Sequence, residues 1–96
     1  MADEQGGTER ATLEIKNRLG LHARAAALLV QTTGRYNAEV TIAKDGEVVN
    51  GRSIMGVMML AAEQGSRIDV TAKGPQAREA LEAITALVDA RFNEPE

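Results

Sequence analysis

The sequence predicts an α+β domain with the element order β-α-β-β-α-β-α, a four-stranded sheet covered on one face by three helices. Three observations lead there. Four short stretches alternate polar and apolar residues, the period of a half-buried strand. Two of them flank Asp45-Gly46, whose residue types tolerate the positive φ of a tight hairpin, so that pair must be antiparallel. Three other intervals carry apolar residues at helical spacing. With only four strands, one layer of helices is the simplest cover for the sheet.

The elements follow in order. Residues 12–16, TLEIK, read as the first strand. Asn17, Arg18, Leu19 and Gly20 form a loop. A helix then spans residues 23–33, with Ala26, Leu29, Val30 and Thr33 on one face and Gly34 placed to end it. Residues 38–44 form the second strand, with Val40 and Ile42 on one side, and residues 47–50 return after the turn. Ser53 caps a short helix from Ile54 to about Ala62, closed near Gly65. Residues 67–73 form the last strand, burying Ile68, Val70 and Ala72. Gly74-Pro75 opens a final helix reaching about Phe92, since proline suits a first helical turn. Its buried stripe is Ala77, Leu81, Ile84 and Val88, with Ala80 and Leu87 beside it. Residues 1–9 are expected as a flexible N-terminal tail, 10–92 as one domain and 93–96 as a frayed C-terminal tail.

Composition narrows the function. The chain has 96 residues, enough for one modest core. Hydrophobic residues make up 44%, which argues against disorder, while aromatics make up 2%, so Leu, Ile, Val, Ala and Met must build the core. With no cysteine and one histidine, neither a disulfide framework nor a zinc site is expected, and no other metal or cofactor. A net charge of −3 and a lone pair of aromatics, Tyr36 and Phe92, do not suit nucleic acid. No apolar run approaches a membrane span, and the acidic start is unlike a secretory signal, so a cytoplasmic location is expected. Gly51 and Gly56 have the glycine spacing of a P-loop, but Val57 stands where lysine is required.

The sole histidine, His22, falls at the N-cap of the first helix. The N–H groups of Ala23, Arg24 and Ala25 there lack intrahelical partners and carry partial positive charge. That field opposes protonation of the imidazole and favours an anion beside it, such as a phosphoryl group. The planar guanidinium of Arg24 suits phosphate oxygens. Histidine is an established covalent nucleophile. Two readings stand: a phosphohistidine site, with the Ala23 and Arg24 amides binding the phosphoryl group, or an N-cap histidine with no chemical role. Ser53 is read first as a helix cap and second as a phosphorylation site that the helix dipole would tolerate. The following helix, with Met55, Met58 and Met59, has more apolar residues than one sheet face can bury. Met59 is expected in the core, and Met55 and Met58 on an adaptable docking patch.

Taken together, these stretches resemble a known family. Gly20-Leu21-His22-Ala23-Arg24 and Arg52-Ser53-Ile54-Met55-Gly56-Val57-Met58 are similar, in register, to the active-site and regulatory-serine motifs of the HPr family. Its members are histidine-containing phosphocarriers of the bacterial phosphoenolpyruvate:sugar phosphotransferase system. The resemblance covers residues 11–92. It implies an open-faced β-sandwich with a four-stranded antiparallel sheet. It implies that His22 accepts a phosphoryl group on Nδ1 from enzyme I and passes it to enzyme II A domains, assisted by Arg24. Ser53 would be the target of an HPr kinase/phosphorylase, and Leu21, Ala27, Ile54, Met55 and Met58 would form the docking face. A carrier that presents one face to several partners is most simply a monomer.

Many members of the family have proline after the active-site arginine, where this chain has Ala25, which keeps the helix and adds an N–H at its start. Lys73-Gly74-Pro75-Gln76 and Phe92 are also similar to the NPr paralogues of the nitrogen-related branch, which is the alternative carrier role. A regulatory binding module acting through Ser53 is a further alternative. A small hydrolase is disfavoured because no second acid–base group accompanies His22.

Overall fold

The structure, a computed structural model, describes residues 7–95. Four strands, β1 (Gly7–Glu14), β2 (Glu39–Lys44), β3 (Glu47–Asn50) and β4 (Arg67–Gly74), form one antiparallel sheet in the order β1-β4-β2-β3. Three helices, α1 (Ala23–Thr33), α2 (Ile54–Met59) and α3 (Ala77–Asp89), complete the open-faced sandwich that the sequence predicts.

Strand alternation sets the two faces. Leu13, Val40, Ile42, Ile68, Val70 and Ala72 are buried, while Thr12, Glu14, Glu39, Asp69 and Lys73 between them face solvent. On the open face the Thr12 hydroxyl donates to Asp69 across the β1–β4 ladder at 2.6 Å. Asp45 and Gly46 both take positive φ, 52° and 86°, as a type I′ hairpin turn demands. The helices close the other face with Ala25, Ala26 and Leu29 from α1, Val57 from α2, and Ala77, Ala80, Ile84 and Val88 from α3.

Several boundaries move, each for a local reason. The first strand begins at Gly7, inside the expected tail, because β4 runs on to Gly74 and pairs with residues 7–9. The rest of that expected tail, residues 1–6, lies outside the described residues, as does Glu96. Ile15 leaves the ladder but exchanges two backbone hydrogen bonds with the Gly65-Ser66 turn, at 2.7 and 2.8 Å. Val30, Leu81 and Leu87 are only half-buried, at the flanks of their helices. α2 stops at Met59 instead of Ala62, since Ala61 turns left-handed (φ 52°) and aims the Ala62 carbonyl at the Leu21 N–H, 2.9 Å away. α3 starts at Ala77 because Gln76 is pinned to the loop before β2. Its side chain accepts from the Asn37 N–H at 2.7 Å, and its own N–H donates to the Asn37 carbonyl at 3.0 Å.

The largest departure is at the C-terminal end. After Asp89 the chain makes one left-handed turn, Arg91–Asn93, with φ of 58°, 53° and 59°. Left-handed residues other than glycine are strained and persist only where surrounding contacts hold them. Here the Phe92 ring is the contact, fully buried in the core. The expected frayed tail at 93–96 is therefore corrected for residues 93 and 94: Asn93 and Glu94 hydrogen-bond back to Ala90 and Arg91 at 2.9 and 3.0 Å. Replacing Phe92 by Ala is expected to cost about 3–5 kcal/mol in urea denaturation, the usual range for a buried Phe. A loss of about 0.5 kcal/mol, typical of surface sites, would contradict this anchoring role.

Candidate functional site

His22 stands at the N-cap of α1 in extended conformation, and its side chain makes no capping bond. Two constraints put it there. Gly20 takes φ 68°, and a Cβ on it would sit 2.4 Å from the Ala62 carbonyl oxygen, so only glycine permits this approach. The Leu21 N–H then bonds that same oxygen, tying the site to the loop after α2. The first bond of α1 runs from the Ala26 N–H to the His22 carbonyl at 2.8 Å. The N–H groups of Ala23, Arg24 and Ala25 thus precede the ladder, beside the imidazole.

The other side of the ring is held by a residue the sequence placed in a frayed end. His22 Nε2 hydrogen-bonds Glu94 Oε2. The Glu94 side chain is 6% exposed, against 28% for His22, so the carboxylate sits beneath the ring. Asn17 Nδ2 donates to the same Glu94 oxygen at 2.9 Å and to the Gly20 carbonyl at 2.8 Å. Both Asn17 donors are therefore used, and its buried Oδ1 has no partner among the described residues. Flipping the amide would set that oxygen against two acceptors, so the observed orientation is the better one. Arg24 Nη2 donates to the Phe92 carbonyl at 2.8 Å, which steadies the guanidinium and leaves it further N–H groups. Arg18, Leu19, His22, Arg24, Glu94 and Pro95 line one shallow pocket.

Burial pushes the Glu94 carboxyl up, but hydrogen bonds from His22 and Asn17, with the charges of His22 and Arg24, outweigh it and hold it below its ordinary 4.5. The group is ionised at neutral pH. Among the described residues, no three His, Cys, Asp or Glu side chains come together as a metal site, and no helix is long and apolar enough to cross a membrane.

Ser53 is the cap expected: its Oγ accepts from the Gly56 N–H at 2.9 Å. Ile54, Met55 and Met58 are exposed, with Met55 at 70%. Met59 corrects its expectation of burial, being 65% exposed, because six-residue α2 turns only Val57 fully inward. Leu21 is corrected the other way: it is buried in the core because the Gly20 turn and the Ala62 bond draw it in. Ala27 is half-buried. Asn17, Glu94 and the Phe92 carbonyl were not anticipated. The one available signal was Phe92, an aromatic beyond the regular stripe of α3, which implies that the chain turns back to the core.

Comparison with known proteins agrees with this architecture. A family model described as "PTS HPr component phosphorylation site" matches residues 9–90. The Phosphocarrier protein HPr of Xylella fastidiosa (strain Temecula1) is 48% identical over 82 residues, 85% of this chain and 92% of that protein. The crystal structure of HPr-C-His from Thermoanaerobacter tengcongensis superposes with a TM-score of 0.88 at 41% identity, covering 92% of this chain and 99% of that one. That of a Phosphocarrier Protein HPr from Bacillus anthracis gives 0.81 at 46% identity, covering 84% and 96%. A small open-faced sandwich with a phosphorylation-site motif defines a class of group-carrying proteins. The chain belongs to the HPr family, the phosphocarriers of the phosphotransferase system.

The lowered Glu94 value has a testable sign. A carboxyl that titrates lower in the folded chain stabilises the fold above its unfolded value, and that stabilisation is lost as pH falls through the folded value. Glu94→Gln should therefore destabilise the chain at pH 7, with the difference from wild type shrinking steadily below pH 4.5. Denaturation midpoints at a series of pH values check this. A difference that stays constant to pH 2 would contradict it.

Proposed function

We propose that His22 is the phosphoryl carrier, accepting the group on Nδ1 from phosphorylated enzyme I and passing it to enzyme II A domains. The observation that carries this reading is the placement of an imidazole at the start of α1 without a capping role, beside Arg24 and the leading amides of the helix. Those amides and the remaining N–H groups of Arg24 suit phosphoryl oxygens. One helix end contributes about 0.3–1 kcal/mol to a nearby charge, up to ~2 in good geometry. That orients a phosphoryl group without trapping it, as a carrier requires. The protein is a phosphorylated intermediate in the relay, consumed and regenerated, and acts on no small molecule by itself.

The exposed Ile54, Met55 and Met58 next to Ser53 form the docking surface for those partners, with half-buried Ala27 at its edge. Phosphorylation of Ser53 by an HPr kinase/phosphorylase adds charge and hydration to that apolar surface and weakens docking. The carrier works as a cytoplasmic monomer.

Intact-mass spectrometry after incubation with phosphoenolpyruvate, magnesium and enzyme I tests the proposal. The expected result is one added phosphoryl group that brief acid removes, absent from His22→Ala. Ser53→Asp should gain it at least several-fold more slowly at equal enzyme I. Phosphorylation of His22→Ala to wild-type extent would overturn the carrier assignment. A wild-type rate for Ser53→Asp would overturn the regulatory one.

A further inference from the structure

We infer that Glu94 is a positioning residue for phosphoryl transfer: it holds the Nε2 proton of His22, leaves Nδ1 as the nucleophile, and neutralises the charge that transfer creates on the ring. This rests on the carrier reading of His22 and adds a residue outside both sequence motifs.

Glu94 is ionised at neutral pH, and a carboxylate only accepts hydrogen bonds. Its contact with Nε2 therefore requires the proton on Nε2. In a neutral imidazole the lone pair then lies on Nδ1. Asn17 holds the same carboxylate oxygen from the other side, so the carboxylate cannot swing away without losing a second bond. The left-handed turn, Arg91–Asn93, and the buried Phe92 deliver Glu94 to this place. An ordered carboxylate orienting a histidine by its distal nitrogen is the arrangement that fixes ring tautomers in hydrolases and metal sites.

The step balances without a proton transfer. The Nδ1 lone pair forms a bond to phosphorus. The donor's bond to phosphorus breaks, and its electron pair leaves with the donor. The ring keeps its Nε2 proton and gains a formal positive charge, spread over both nitrogens. The Glu94 carboxylate faces that charge. When the group moves on, the Nδ1–phosphorus bond breaks and its electron pair returns to Nδ1. Glu94 takes no proton at any point, since Nε2 keeps its own throughout.

Arg24 limits the alternatives. Its Nη2 is tied to the Phe92 carbonyl, so the residue that meets Nε2 is the carboxylate and not the guanidinium.

The test uses the full chain with enzyme I and phosphoenolpyruvate. Glu94→Gln, close in shape but uncharged, should lower kcat for phosphorylation roughly tenfold, the scale of one charge-assisted hydrogen bond, with KM for enzyme I little changed. In wild type labelled with 15N, the His22 Nε2–H should give a protected proton signal at pH 7, and in Glu94→Ala that signal should be lost to solvent exchange. Protection of this proton reports the contact itself, and the fall in kcat at unchanged KM is the readout that a merely structural role for Glu94 would not move. Wild-type kcat in Glu94→Gln, together with a retained Nε2–H signal in Glu94→Ala, would overturn the inference while leaving His22 as carrier. Failure of wild type to gain any phosphoryl group would overturn the carrier reading and this inference with it, whatever the proton signal.

Discussion

The burial of Phe92 is the constraint on which the site depends. Its ring occupies the hydrophobic core, and to reach it the chain must reverse immediately after α3. Three consecutive left-handed residues make that reversal. Each is unfavourable by about 1–2 kcal/mol in isolation, so the turn exists only because the ring is anchored. The anchored turn has two consequences at the site. The Phe92 carbonyl receives Arg24, and Glu94, two residues on, arrives under His22. Core packing and site geometry are in this way one feature.

A second close approach completes the frame. The Gly20 backbone passes so near the Ala62 carbonyl that a side chain would collide with it. That contact fixes where α1 begins and so where its leading amides point. His22 is thus defined from both sides, by a glycine turn on the N-terminal side and by the C-terminal turn from below. A histidine held this way can change its bonding without the fold having to move. The apolar surface of α2 stays outside this frame, exposed and adaptable, as a surface for successive partners would be.

Much of the architecture was legible in the sequence because its signals are local. The hairpin at Asp45-Gly46, the span of α1 and the Ser53 cap each depend on a few adjacent residues, and each is found where expected. The misplaced features depend on distant partners. β1 starts early because β4 is long enough to pair with it, which nothing in residues 7–9 announces. Leu21 and Met59 exchanged their expected environments because tertiary contacts, not helical periodicity, set their burial. Glu94 was invisible for the same reason. An acidic residue near a chain end reads as solvated surface unless the left-handed turn before it is known.

The central claim is that His22 presents Nδ1 because Nε2 is already engaged. The most direct measurement is a 15N–31P coupling experiment on the phosphorylated, 15N-histidine-labelled protein, held at alkaline pH to preserve the phosphoryl group. Phosphorus is expected to couple through one bond to Nδ1, with Nε2 uncoupled. Phosphorus bonded to Nε2 would contradict it, since that nitrogen could not carry the group while remaining on Glu94.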